Sequence, residues 1–181
     1  PFRYSMVNQG FNFTEVYLRN PLDASIQLLV LAEPRSAYAS EECKNLENYI
    51  SSGRHLLLAG EPDQREFFNA LAQPRLGVTL EEGLLVSAHE TFQPDLMLLK
   101  PTLAATQFSH YLAPMLTRNE VLTMPSAGGL QYDGTKGFEA TTLFETDSVG
   151  TWSELQTINF IDGKPALDTG SGEKHGARPT V

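Results

Sequence analysis

Ser25-Ile-Gln-Leu-Leu-Val-Leu-Ala32 is a nearly continuous apolar run, and it opens the stretch of sequence that decides the fold. Such a run is typical of a strand that is covered on both faces in a parallel sheet. A second apolar run, His55-Leu-Leu-Leu-Ala-Gly60, follows at a distance that leaves room for one helix. Two parallel strands joined by a crossover helix form a βαβ unit, which is almost always right-handed.

The intervening segment carries the signals of that helix. Ser40 is a suitable N-cap residue, and two glutamates follow it where the helix dipole favours negative charge. Leu46 and Tyr49 recur at helical spacing, and Gly53 is placed to end the helix in a left-handed conformation.

Beyond this unit, apolar runs and turn residues continue to alternate. Asp63 and Glu66 have the spacing of a capping box for a second helix, which Pro74 is predicted to end. Further strands are predicted at 83–87, 95–99, 120–124, 130–132 and 138–144, with a helix across 102–116. A helical or loop segment is predicted from Trp152, and a mobile surface loop from Asp162 to Gly176. The alternation predicts an α/β fold of three layers with a mostly parallel, flavodoxin-like sheet, and extra, antiparallel β structure in the C-terminal half.

Composition bounds the function. The chain of 181 residues is long enough for a sizeable core, and its net charge of -9 disfavours nucleic acid as a partner. Cys43 is the only cysteine, so no intramolecular disulfide forms. The chain begins at Pro1, and Arg178-Pro-Thr-Val181 resembles the opening of another strand. We therefore expect residues 1–181 to be a single domain excised from a longer protein and truncated at its C-terminal strand.

Charged residues follow both strands of the βαβ unit, where ligands bind in such sheets. They are Glu33 and Arg35 after the first strand, and Glu61, Asp63, Gln64 and Arg65 after the second. If the strands are adjacent, these groups converge and could bind a small zwitterion, or a cation through the three carboxylates. The alternative is that Asp63 caps a helix and that the two arginines are solvated partners of these acids.

Signatures of catalysis are missing from the sequence. The turn after the second strand, Gly60-Glu61-Pro62, contains no nucleophile. Ser126 and Ser148 follow strand-like runs without the glycines of a nucleophile elbow, and the four histidines show no readable triad. Neither a nucleotide-binding glycine loop nor a metal-binding motif is present. We predict a protein that is not an enzyme and has no cofactor or metal.

Several stretches together resemble a known family. Ala32-Glu-Pro-Arg-Ser36, the acidic helix from Ser40 to Gly53, and Leu56-Leu-Leu-Ala-Gly-Glu-Pro62 are similar to the start of the extracytoplasmic domain of GldG-type ABC transporter components. The similarity continues through most of the chain at Phe68-Asn69, Leu76-Gly77-Val78, Asp95-Leu96-Met97, Thr123-Met124-Pro125, Glu145-Thr146-Asp147-Ser148 and Thr151-Trp152-Ser-Glu-Leu155. A single Gly53 stands where the family often has two glycines.

The resemblance implies a fold related to class I glutamine amidotransferases without their catalytic residues. It implies a periplasmic domain of an inner-membrane permease or auxiliary subunit, which binds a partner protein or the transported substrate. The implied partners are the transmembrane and ATPase subunits of an ABC transporter, a substrate or a periplasmic protein. Two alternatives stay open: a degenerate amidotransferase-like hydrolase, and a solute-binding module that uses the charged strand ends.

Overall fold

The computed structural model describes residues 2–89, 93–156, 160 and 163–181, and it divides the chain into two compact units. One unit comprises Pro1–Leu31 and Tyr38–Leu57, and the other comprises Ala32–Ala37 and Leu58–Val181. That residues 1–181 act as a single domain stays a prediction.

The first unit contains the predicted βαβ arrangement. Its elements are α1 (Phe2–Asn8), β1 (Leu28–Ala32), α2 (Ser40–Ser51) and β2 (His55–Ala59), with the last residues of β1 and β2 assigned to the second unit. The His55 amide donates to the Gln27 carbonyl at 3.0 Å, and the Glu33 amide donates to the Ala59 carbonyl at 2.9 Å. Residue numbers rise together along the two strands, so β1 and β2 are parallel, as predicted.

Local chemistry explains the bounds of α2. The Glu42 carboxylate accepts the Ala39 backbone N–H at 2.9 Å, which makes Ala39, rather than the predicted Ser40, the N-cap residue. Gly53 adopts a φ of 79° just beyond the helix, a conformation that costs glycine little. Leu46 and Tyr49, both predicted for the apolar face, are buried.

The second unit is built mainly of short strands. Its elements after β2 are a 3₁₀ turn (Pro62–Gln64), α3 (Arg65–Leu76), β3 (Val78–Leu80), β4 (Leu84–Ser87), β5 (Leu96–Pro101), α4 (Leu103–Phe108), α5 (Ala113–Thr117), β6 (Leu122–Pro125), β7 (Leu130–Tyr132), β8 (Phe144–Glu145) and β9 (Thr151–Glu154).

These strands pair in small sheets and not in one large sheet. β3 pairs with β7, β4 pairs with β9, and β5 lies between β6 and β8, all in antiparallel register. The mixed α and β composition and the extra β structure of the C-terminal half agree with the sequence. The prediction of a mostly parallel, three-layer sheet is wrong, because the pairing among the described strands is mostly antiparallel.

Three local predictions are also wrong. α3 continues through Pro74 to Leu76, because the Arg75 guanidinium donates to the Leu71 carbonyl at 3.0 Å and to the Ala70 carbonyl, which the proline leaves without its helical donor, at 3.3 Å. Residues 138–143 form no strand, and β8 begins only at Phe144. Trp152 lies in strand β9 and not in a helix or loop.

The core of the second unit lies between the antiparallel sheets. Its main cluster consists of Leu85, Met97, Leu99, Ala127 and Phe144. A smaller cluster joins α3 to β3 through Phe68, Ala72 and Leu80. The main cluster packs β4, β5 and β8 together, and the smaller cluster packs α3 against β3, both through apolar burial, the main favourable term in folding.

The C-terminal residues join this framework. The Thr180 amide donates to the Phe144 carbonyl at 3.0 Å, and the Leu130 amide donates to the Pro179 carbonyl at 2.7 Å. Residues 178–181 thus run beside β8, in agreement with their strand-like sequence. The preceding residues, 163–176, are irregular as predicted, yet Glu173 among them is buried.

Among the residues that the structure describes, no helix combines the length and the hydropathy that crossing a membrane requires.

Candidate functional site

The predicted site begins where β1 ends. Glu33 has a φ of 50°, a left-handed conformation that is uncommon for a residue other than glycine. Its backbone N–H closes the ladder between β1 and β2, and the next residue, Pro34, is buried. This backbone geometry turns the chain sharply and leaves the Glu33 side chain exposed at the end of the sheet.

Arg35 is the centre of the charged cluster. Its guanidinium donates to the Glu33 carboxylate at 2.6 Å. The hydrogen bond and charge of Glu33, and the charges of Asp63 and Glu61, raise the pKa of the Arg35 guanidinium above its ordinary value. Four of the six predicted residues, from the ends of both parallel strands, therefore lie close enough to interact.

The other two predicted residues are less involved. Gln64 donates through its side-chain amide to Asp63 at 3.3 Å. Arg65 forms an ion pair with Glu82, with 3.5 Å between the charged groups. Asp63 makes no capping hydrogen bond, because a 3₁₀ turn precedes α3 and Gln64 becomes its N-cap residue. The predicted capping box of Asp63 and Glu66 is wrong.

This cluster is an open surface of mixed charge. Glu33, Arg35, Glu61 and Asp63 are all exposed, so their charges are screened by water and salt. Glu33, Glu61 and Asp63 carry three negative charges and Arg35 carries one positive charge, so these four residues are net negative. Such a surface can contribute to the rate and specificity with which a partner binds more than to affinity.

Nucleophilic catalysis has no geometric support in the described part of the chain. The Ser126 hydroxyl donates to the Asp95 carboxylate at 2.8 Å, and its backbone N–H donates to the Asp95 carbonyl, so this serine anchors a turn. No hydrogen bond joins Ser126 or Ser148 to a histidine among these residues. His110 stacks on Tyr111, with 4.0 Å between ring centroids.

The described residues do not form a cluster of metal ligands either. Within residues 2–89, 93–156, 160 and 163–181, no group of three or more His, Cys, Asp or Glu side chains could hold a metal ion. Cys43 is half-buried, with its sulfur 3.9 Å from the Tyr38 carbonyl oxygen.

Two cavities lie away from the charged cluster. The larger, of about 720 Å³, is in the first unit between the segment 11–18 and the residues 25–31. The smaller, of about 420 Å³, is in the second unit and is called here the Trp152 cavity. It is lined by Ala88, Ser148, Gly150, Thr151, Trp152, Pro165, Ala166, Leu167 and His175.

An exposed apolar surface covers the two short helices α4 and α5. Leu103 and Phe108 are each 70% exposed, Tyr111 is 77% exposed and Leu116 is 40% exposed. Residues 101–117 contain no Asp, Glu, Lys or Arg, although charged residues make up 19% of the chain. We call these four side chains the α4–α5 surface.

Sequence reasoning missed both the α4–α5 surface and the surroundings of Trp152. The run without charge from 101 to 117 was a usable signal for the surface, because apolar side chains that the core cannot accommodate must face water or a partner. Trp152 gave no comparable signal, because residues 165–167 and 175, which line its cavity, lie in another part of the sequence.

Comparisons with known proteins identify a structural neighbour. No family model and no curated protein matches the chain. A solved structure of the mmIFT52 N-terminal domain is similar, with a TM-score of 0.57 and 15% sequence identity, over 84% of this chain and 71% of that chain. At this level of identity, the likeness concerns the fold.

The neighbour overturns the resemblance drawn from sequence motifs. The similar fold is that of an IFT52 domain and not of a GldG-type transporter component or an amidotransferase. The predicted function in an ABC transporter, its transporter partners and its periplasmic, membrane-anchored location are wrong for the same reason. The quoted motifs were mostly turn and cap residues, which many unrelated folds share. The prediction that the chain is not an enzyme agrees with this neighbour.

Proposed function

We propose that this chain is a non-catalytic interaction domain of a multi-subunit transport complex of the intraflagellar transport type. The observation that carries the proposal is the likeness of its fold to the mmIFT52 N-terminal domain over 84% of the chain. A domain of such a complex acts by contact with other subunits, so its functional features are surfaces.

The α4–α5 surface supports this proposal. Leu103, Phe108 and Tyr111 are large apolar side chains that face water in the isolated chain. Covering them removes apolar area from water, which stabilises an interface by roughly 25 cal/mol for each Å². The absence of charge around them lowers the cost of desolvating this surface.

Reconstitution with purified intraflagellar transport subunits tests the proposal directly. The expected result is that this chain co-elutes with one or more of them in size-exclusion chromatography. Phe108→Ser should weaken that association without changing the melting temperature, because Phe108 is exposed. Leu98→Ser, which alters a 37% exposed residue of β5, is the matched control and should leave the association intact. Elution of the wild-type chain alone in every mixture would overturn the proposal.

The charged strand-end cluster is proposed as a second contact of the same partner. Glu33, Arg35, Glu61, Asp63, Gln64 and Arg65 present a net-negative surface, which fits a partner with a basic surface. Arg35→Glu replaces one positive charge of the cluster with a negative charge and should accelerate the association with that partner at low salt. Arg3→Glu is the control, because Arg3 is also exposed and pairs with Glu15, outside both proposed contact surfaces. Equal association rates for the two variants would remove the cluster from the interface.

A further inference from the structure

Two glutamates are buried side by side in the second unit, outside the proposed contact surfaces. Glu154, the last residue of β9, is 3% exposed, and Glu173 is 7% exposed. Carboxylates are seldom this buried unless they are paired or protonated, because removing a charge from water is costly.

Glu173 connects two parts of the chain. One oxygen of its carboxylate accepts the Asp168 backbone N–H at 2.6 Å, and the other accepts the Leu155 backbone N–H at 3.3 Å. We call residues 163–176 the strap. Glu173 thus fastens the middle of the strap to the end of β9.

Glu154 lies beside this junction. Its carboxylate accepts the Gln156 backbone N–H at 3.0 Å and the indole N–H of Trp152 at 3.3 Å. The Leu155 N–H that Glu173 accepts belongs to the residue next to Glu154, so the two buried carboxyl groups lie close together. Two carboxyl groups can hydrogen-bond to each other only when one of them is protonated, so a protonated Glu154 would donate to the Glu173 carboxylate.

The strap covers the only tryptophan of the chain. Pro165, Ala166 and Leu167 form one wall of the Trp152 cavity, and His175 bridges to Trp152 through the backbone. Trp152 is consequently only 5% exposed. Release of Glu173 would free the Asp168 N–H and open that wall.

We propose that Glu154 and Glu173 form a protonation-dependent latch, which holds the strap over the Trp152 cavity while Glu154 is protonated and releases it when Glu154 loses that proton to water. With the proton, the pair carries one negative charge and a strong hydrogen bond. Without it, two adjacent buried carboxylates repel each other in surroundings of low dielectric constant.

The direction of the pH dependence follows from Glu154. Burial raises its pKa above the ordinary value of 4.5, and Glu173 raises it further through its hydrogen bond and charge, while the hydrogen bonds from Gln156 and Trp152 lower it. A raised carboxyl pKa stabilises the closed strap at low pH. That stabilisation is lost as the pH rises through the raised pKa.

Several other charged groups near the latch have partners of their own, and the His89 ring lies beside Gly150 in the lining of the Trp152 cavity. On the strap, the Asp168 carboxylate accepts the Gly170 N–H, and Lys174 pairs with Glu81 at 3.0 Å. On the neighbouring strand pair, Glu82 precedes β4 and pairs with Arg65. His175 is the titratable group on the strap that contacts Trp152, so it needs its own control.

Fluorescence of Trp152 reports whether the strap covers the cavity, and no label is needed because the chain has one tryptophan. The experiment measures acrylamide quenching of the wild-type chain from about pH 4 to about pH 9, the range in which a raised carboxyl pKa falls. We expect quenching to rise severalfold across this range while far-ultraviolet circular dichroism stays constant. Constant quenching in the wild-type chain would overturn the proposal.

Glu154→Gln is the decisive variant, because its amide donates to Glu173 as the protonated acid does but cannot lose a proton. It should keep quenching low at every pH. Glu173→Gln, a second variant in case the first fails to fold, should also abolish the pH dependence. Glu139→Gln changes an exposed acid, and His175→Gln and His89→Gln each remove a histidine near the cavity; all three should retain the transition. A transition that disappears in either histidine variant and persists in Glu154→Gln would assign the effect to that histidine and reject the latch.

Discussion

The burial of strands β2 and β9 is the opposite of what their sequences suggest. The β2 sequence is His-Leu-Leu-Leu-Ala, and none of its five residues is buried; Leu57 is 44% exposed. The β9 sequence is Thr-Trp-Ser-Glu, and all four residues are buried. Apolar content therefore indicates where a strand forms, whereas pairing and coverage decide whether its side chains leave water.

The largest expected effect tests this difference directly. Leu99→Ala, in the fully buried part of β5, should lower the free energy of unfolding by about 2–5 kcal/mol, because it removes apolar contacts and leaves a cavity. Leu57→Ala in β2 should cost about 1 kcal/mol or less, because much of that side chain is already in water. Urea unfolding of both variants measures the contrast. Equal losses would show that β2 is covered in solution and would break the comparison.

Two glycines that follow helices, one in each unit, allow the backbone of the two units to be compared. Gly53 after α2 and Gly77 after α3 have φ values of 79° and 70°. Gly53→Ala should cost about 1 kcal/mol from backbone strain alone, because the added methyl group meets open space.

Gly77→Ala should cost at least about 2 kcal/mol, because the new Cβ would lie 2.5 Å from a carboxylate oxygen of Asp133. Two hydrogen bonds from Thr135 hold that oxygen in place, so it cannot move without losing them. Thermal unfolding measures both variants. A smaller loss for Gly77→Ala than for Gly53→Ala would contradict the tighter packing of the second unit.

Local and long-range determinants explain which elements the sequence predicted. β1, α2 and β2 follow one another directly, and their caps and apolar runs lie within the elements themselves. β9 pairs with β4, whose Leu85 faces Ser153 from a distant part of the sequence, and no local pattern records that pairing. Residues 138–143 have high β propensity but form no strand, because a strand also needs a continuous ladder of hydrogen bonds to a neighbouring strand.

The same distinction applies to the charged cluster. Its position at the strand ends follows from the parallel βαβ arrangement, so the convergence of Glu33, Arg35, Glu61 and Asp63 was predictable. The direction of Arg65 was not, because Glu82, its ion-pair partner, belongs to a turn between two other strands. Glu173 was likewise assigned to a mobile loop, since its burial depends on β9.

Substitution of Tyr49, in the first unit, should cause an intermediate loss of stability. It is fully buried, and its hydroxyl donates to the His55 carbonyl at 2.9 Å, which ties α2 to β2. Tyr49→Phe should cost about 1 kcal/mol, the net value of one such hydrogen bond. Tyr132→Phe in β7 is the control, because its bond to the Phe138 carbonyl is exposed and should contribute less.

The pH dependence of the stability provides a second test of the role of Tyr49. Burial is the main cause that raises the pKa of the Tyr49 phenol above its ordinary value of 10.0, although Arg54 lowers it. The neutral phenol is thus favoured in the folded chain. Its contribution to stability is present below the unfolded pKa and is lost as the pH rises through the folded pKa. Wild-type stability should therefore fall more steeply than that of Tyr49→Phe above about pH 10; parallel curves would exclude Tyr49 as the cause.

The smallest expected effect concerns an ion pair of the second unit. Lys100 donates to the Asp147 carboxylate at 2.8 Å, and both side chains are about half exposed. That hydrogen bond is the main cause that lowers the pKa of Asp147, so the stabilisation is present above the unfolded pKa and is lost as the pH falls through the folded pKa. Asp147→Asn should cost less than about 1 kcal/mol, because solvent screens the pair, and the loss should shrink as salt is added. A larger, salt-independent loss in urea unfolding would mean that Asp147 matters through its backbone hydrogen bond from Val149. The β5–β8 edge would then depend on turn geometry rather than on charge.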